Sequence, residues 1–176
     1  MNKGSNFKFL LNGADIALPD GTYPIKSFSI QKTIEGKKFR LIGLAPGGHH
    51  KNLELIGGQP IRHRGGPPLV LRTYLDFEKD TAKIRVWLGG EGGEVYIPAV
   101  EENGRQRHPP KLSIRDNEGK NLHAGQLELN PNGSVKPYIW KLPSKFKGRF
   151  RLDIVGDFSP FECSGGIGDC YETPNP

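Results

Sequence analysis

Apolar and polar residues alternate at a period of two through most of this chain, which is the pattern of strands with one buried face. Leu69, Leu71, Thr73, Leu75 and Phe77 share one face of a long strand, and Ile84, Val86 and Leu88 share one face of the next. Glu78-Lys79-Asp80 lies between them as a polar turn, so the two strands read as a hairpin. Nearer the start, Phe7 to Leu11 runs into Asn12-Gly13, a preferred pair for tight turns, and Asp15 to Leu18 returns. Ile25, Phe28 and Ile30 then lead to a reversal at Glu35-Gly36-Lys37 before Phe39 to Ile42. After residue 110 the pattern is clearest: Lys111 to Arg115, Leu122 to Leu129, Val135 to Leu142 and Arg149 to Ile154 are strands. The connections between them are Asp116 to Lys120, Asn130-Pro131-Asn132-Gly133 and Ser144 to Gly148. No segment carries a convincing helical period.

The order weakens between Ala45 and Pro68, where Gly and Pro punctuate a single short apolar run, Leu53 to Ile56. Gly89-Gly90-Glu91-Gly92-Gly93 reads as a flexible loop. Glu94 to Val100 reads as a strand interrupted at Pro98, which suits a sheet edge. Glu101 to Pro110 is polar and ends in two prolines, the best place for a linker or a long connection between sheets. The expectation is an all-β protein of about ten strands, an antiparallel β-sandwich in one unit or two. Its parts are a β-rich unit with a glycine-rich loop region at 1–100, a strand group at 110–156 and an acidic, cysteine-bearing tail at 157–176.

One stretch resembles a known family. Pro110-Lys111-Leu112-Ser113-Ile114, the Asp116 to Gly119 turn, Tyr138-Ile139-Trp140 and the Gly148 to Ile154 strand resemble the closing strands of immunoglobulin-like sandwich modules of secreted and cell-envelope proteins. The resemblance covers residues 109–156. It implies an immunoglobulin-like sandwich in an extracytoplasmic setting, whether secreted, periplasmic or at the cell surface, and a role in binding or assembly. The chain departs from the antibody type, because Cys163 and Cys170 cannot be an inter-sheet pair on facing strands.

Composition narrows the classes. With 24 Gly and 15 Pro among 176 residues, 35% hydrophobic and 25% charged, the chain is too apolar for disorder and rich in chain-reversing residues. No stretch approaches the roughly 20 apolar residues of a membrane helix. Met1 to Ser5 lack the apolar region of a signal peptide, and Met1 is the sole methionine, as a replaced leader would leave it. The net charge of +6 is uneven: residues 1–88 hold 14 Lys and Arg against 7 Asp and Glu, whereas residues 89–176 hold 11 against 12. The positive residues are dispersed among strands, which speaks against nucleic acid, and the tail from 157 onward has four acidic residues and no Lys or Arg.

The candidate chemistry is sparse. Cys163 and Cys170, with Gly165, Gly166 and Gly168 between them, are read as a disulfide in an oxidising compartment; two inert thiols or half of a metal site are the alternatives. His49, His50 and His63 sit in the glycine-rich region and are candidate metal ligands, but Arg62 and Arg64 flank His63, so solvated loop histidines are the preferred reading. Glu91, Glu94, Glu101 and Glu102 offer carboxylates for a hydrolase, and are read instead as solvated turn residues. No Gly-x-Ser-x-Gly turn occurs. Trp87, Tyr96 and Trp140 form a candidate binding platform, with Trp87 pointing outward beside Arg85 if Ile84, Val86 and Leu88 point inward. The expected function is a non-catalytic module without cofactor that binds a protein partner or its own copies. The alternative is a carbohydrate-binding module that uses exposed aromatics such as Trp87.

Overall fold

A computed structural model describes residues 18–25, 27–45, 52–57, 65–143, 148–166 and 169–173, and among them are fifteen strands and no helix. The hairpin expected around Asn12-Gly13 lies outside the described residues, as do His49, His50 and His63. The long hairpin forms as its alternation requires: β5 (Leu69–Glu78) and β6 (Thr81–Gly89) pair antiparallel from Val70 opposite Gly89 to Glu78 opposite Thr81. Ala82, Ile84, Val86 and Leu88 are buried on one face of β6, and Lys83, Arg85 and Trp87 take the other.

A nine-stranded sheet grows from this hairpin. β14 (Cys163–Gly165) runs parallel to β5, while β12 (Tyr138–Lys141) and β7 (Val95–Tyr96) share the far side of β6. Beyond β7 comes β3 (Lys37–Ala45), which also pairs with β2 (Ser29–Ile34) and β8 (Glu101–Glu102); β9 (Arg105–Gln106) completes the sheet. A four-stranded antiparallel sheet, in the order β11 (Asn121–Gln126), β10 (Lys111–Asp116), β13 (Arg149–Val155) and β15 (Asp169–Glu172), faces it. The run at Leu53 is paired as well, because β4 (Asn52–Leu55) makes a two-stranded ribbon with β1 (Gly21–Pro24).

The architecture is all-β and sandwich-like. Leu112, Ile114, Phe150, Leu152 and Ile154 of one layer meet Leu69, Leu71, Ile84, Val86 and Leu88 of the other in a single hydrophobic cluster. Phe150 is its centre: Trp140 lies edge-on at 5.1 Å, Phe77 edge-on at 6.3 Å, and Tyr171 stacks at 5.8 Å. Edge-to-face and offset contacts of this kind suit the quadrupoles of the rings and add to the area they bury. Strands from both sides of the 101–110 connection contribute to this cluster, since β12 joins the sheet of β6 and β14 joins β5.

Two local expectations change. Residues 101–106 form the β8–β9 hairpin, not an unstructured linker, because Asn103 and Gly104 adopt φ of 50° and 83° and close a tight turn. Lys38 and Asn103 clasp the hairpin to β3, the Lys38 N–H donating to Asn103 Oδ1 and the Asn103 N–H to the Lys38 carbonyl. Pro98 ends β7 after two residues and does not put it on an edge, since β7 lies between β6 and β3.

The tail docks on both layers. β14 lies along β5, β15 along β13, and the backbone of Gly166 accepts the Ile154 N–H between them. Phe158 and Phe161 are buried, and the Tyr171 hydroxyl is hydrogen-bonded to Thr73. Upstream, Arg107 holds Asp157 at 2.8 Å, donates to the Ser159 carbonyl and stacks over Phe39 at 5.2 Å.

Replacing Phe150 by Ala should destabilise the fold by about 3–5 kcal/mol in urea unfolding, while Val155→Ala on the solvent side of the same strand should stay within about 0.5 kcal/mol. The Ser159 hydroxyl and amide, together with Arg107, hold the Asp157 carboxyl below its ordinary value of 3.8. Its contribution is therefore present above that value and lost as pH falls through the lower folded one. Asp157→Asn should lower the thermal midpoint by about 1–3 °C at neutral pH, and the gap should close as pH falls through the lowered folded value.

Candidate binding face

The face of β6 opposite the core places the aromatic and cationic side chains together. Residues directly opposite in an antiparallel pair share a face, so Trp87 sits beside Arg72 and Arg85 beside Tyr74. Along each strand the next same-face residue is two positions away, so Arg72 and Tyr74 are neighbours on β5, and Arg85 and Trp87 on β6. The four make a checkerboard in which each aromatic is bordered by two arginines, with the two aromatics on a diagonal of about 7–8 Å. The Arg85 guanidinium lies over the Tyr74 ring at 5.9 Å, which fixes its direction.

The next row continues the surface. Asp76, Lys83 and Ile139 are opposite one another across β5, β6 and β12, followed by Glu78, Thr81 and Lys141. Tyr74 is 53% and Ile139 56% exposed, and Trp87 is half-buried among its neighbours. Among the described residues, Arg72, Lys83, Arg85 and Lys141 form no ion pair, whereas Lys37, Arg40, Arg107, Arg115, Lys136, Arg149 and Arg151 all do. The face thus presents four cations held in no ion pair among the described residues, with Asp76 and Glu78 on the same surface.

The other residues of the expected platform lie elsewhere. Tyr96 is 1% and Trp140 2% exposed; both belong to the core, so neither belongs to a binding surface with Trp87. Trp140 shares the inward face of β12 with Tyr138, and Tyr96 is enclosed by β6 and β3 with Phe28 edge-on at 5.3 Å. Sequence phase turns Trp87 outward once Ile84, Val86 and Leu88 are assigned inward, but Tyr96 and Trp140 sit in runs too short to set a phase of their own.

The carboxylates also sort differently from the sequence reading. Glu101 pairs with Arg40 at 2.6 Å and Glu102 with Arg107 and Lys37, so both are structural partners on β8. The Arg107 hydrogen bond, then that of Lys37, holds Glu102 below the usual carboxylate value. Glu94 is not solvated: it is 3% exposed, Tyr96 donates to its Oε1 at 2.8 Å, the Gly66 N–H donates to the same oxygen, and Oε2 has no hydrogen-bond partner among the described residues. Burial, then the Glu94 hydrogen bond, drives the Tyr96 hydroxyl far above its ordinary pKa, so it stays a donor. A Cβ on Gly90 would overlap the Glu94 carboxylate, which explains why the loop needs glycine there.

Cys163 and Cys170 are not joined by a disulfide in the structure. β14 carries Cys163 half-buried toward the core, while β15 carries Cys170, exposed, opposite Arg151 on the other layer. Burial raises the Cys163 thiol pKa, which lowers its reactivity. A shallow groove between the β8–β9 hairpin and the 129–133 turn is lined by Ile97, Glu101, Gln106, Asn130 and Asn132; its carboxylate is the one engaged by Arg40. No group of three or more His, Cys, Asp and Glu arranged for a metal occurs among the described residues. Comparison with known proteins gives no match to a family model, a curated protein or a solved structure.

Gly90→Ala should destabilise the protein by about 2–3 kcal/mol in chemical unfolding, because Glu94 must leave its buried donors to make room. A Gly90→Ala, Glu94→Ala double variant should cost less than the two single changes summed, and simple additivity would show that the two residues do not meet.

Proposed function

We propose that this chain is a non-catalytic binding module of the extracytoplasmic space that works through the outer face of β5, β6 and β12. The observation that carries the reading is the checkerboard of Arg72, Trp87, Tyr74 and Arg85. Aromatic rings and unpaired guanidinium groups turned away from the core contribute little to folding, yet together they suit a ligand with a flat apolar ring and polar substituents. A glycan is the ligand class that this surface favours, through stacking on Trp87 and Tyr74.

The immunoglobulin-like relation of residues 109–156 belongs to the same proposal. Its support is the way these strands divide, with β10, β11 and β13 in one layer and β12 in the facing one. A protein partner or a second copy is the other reading, favoured by β11 ending its sheet and by Val155, 61% exposed on the same layer.

The test is a printed array of neutral and acidic glycans, run alongside sedimentation of the protein alone. The wild type should bind a subset of the glycans and sediment as a monomer. A Trp87→Ala, Tyr74→Ala variant should unfold normally yet lose binding at least about tenfold. Binding retained by that variant moves the site off this face. Self-association without glycan binding favours the second reading.

A further inference from the structure

Resting on that reading, we infer that the ligand is an acidic polysaccharide, a chain of sugar rings carrying carboxylate or sulfate groups. The inference comes from what lies around the two aromatics. Arg72 borders Trp87, Arg85 borders Tyr74, and Lys83 and Lys141 extend the positive surface onto the next two rows. A neutral sugar would use the rings and leave these charges idle. An anionic one meets a guanidinium beside each ring, and the planar fork of Arg matches a carboxylate or sulfate with two parallel hydrogen bonds.

Asp76 and Glu78 lie on the same face and narrow the choice further. A carboxylate accepts hydrogen bonds and repels anions, so it suits a ligand that brings hydroxyl donors along with its charge. Saccharides carry hydroxyl donors on every ring, next to their charged groups, whereas single-stranded DNA carries its donors on the bases and its charge on the separate phosphate backbone. An acidic protein surface has few flat rings to offer Trp87 and Tyr74 and few hydroxyl donors to offer Asp76 and Glu78. The chemistry that uses every group on the face is therefore a hydroxyl-rich, anionic ring polymer.

Charge outside the face agrees with this direction. The chain carries +6 overall, and the excess lies in residues 1–88, which include β5 and most of β6. Long-range attraction should speed the approach of a polyanion and weaken with salt, since exposed charges are screened over about 8–10 Å at physiological ionic strength.

The experiment titrates the full chain with oligogalacturonate, with its methyl ester, which keeps the rings and removes the charge, with a heparin-derived oligosaccharide, and with single-stranded oligothymidylate. Tryptophan fluorescence reports on the face, because Trp140 is buried in the core and Trp87 is half-buried on the outer face, and calorimetry gives affinities for variants. The expected result is binding of a uronate or sulfated oligomer with a change in Trp87 emission. Esterification should weaken uronate binding at least about tenfold, as should Arg72→Ala, Arg85→Ala together. Raising salt from about 50 to about 300 mM should weaken acidic oligomers several-fold and leave neutral ones unchanged. Equal binding of the methyl ester and the acid, abolished in Trp87→Ala, would overturn the acidic ligand while leaving the binding face in place. Tighter binding of oligothymidylate than of any saccharide would overturn the saccharide. No binding of any probe, with unchanged Trp87 emission, would overturn both the inference and the reading beneath it.

Discussion

The strict two-residue period of the β5–β6 hairpin is the constraint on which the rest of this molecule depends. Because successive side chains take opposite faces, burying Ala82, Ile84, Val86 and Leu88 forces Lys83, Arg85 and Trp87 outward. A slip of one residue would reverse both sets at once, placing charges in the core and aliphatics in water. The pairing from Val70 to Glu78 prevents that, and it also aligns Arg72 with Trp87 and Tyr74 with Arg85. The core and the outer aromatic and cationic face are thus two consequences of one register.

The second layer and the tail stabilise that register from the inner side. Phe150 presses on Trp140 and Phe77 of the first layer, so the aromatic centre joins the sheets across the core. The tail then runs from the edge of one sheet to the edge of the other. Gly166 crosses where a Cβ would collide with Leu71, and Tyr171 brings its ring to Phe150 and its hydroxyl to Thr73. A tail with acidic residues and no cation is kept in place by apolar burial at Phe158 and Phe161 and by cations elsewhere, Arg107 for Asp157 and Arg149 for Glu172.

Much of this was legible in the sequence wherever alternation was long enough to set a phase. β5, β6, β10 and β13 stand where their apolar residues predict, and the Asp116 turn closes with its carboxylate accepting the Glu118 and Lys120 amides. Short strands escaped. β7, β8 and β9 have two residues each, too few for a period, although Asn103-Gly104 carries the turn signal read at Asn12-Gly13. Trp87 was separable from the core once Ile84, Val86 and Leu88 were assigned inward, but its alignment with Arg72 and Tyr74 depends on a pairing register that no single strand contains. Glu94 was illegible for a different reason. Polyglycine beside a glutamate reads as solvent-exposed, and only the fold brings Gly66 and Tyr96 around the carboxylate.

The proposed function requires that the outer face of the hairpin, and no other surface, receives the ligand. A titration of isotope-labelled protein with an acidic oligosaccharide, followed by heteronuclear NMR, addresses that claim directly. Amide shifts should concentrate in β5, β6 and β12, with the Trp87 indole and the Arg72 and Arg85 guanidinium signals moving together while the Trp140 indole stays still. Shifts gathered in the groove between the β8–β9 hairpin and residues 129–133, or along the docked tail, would contradict it.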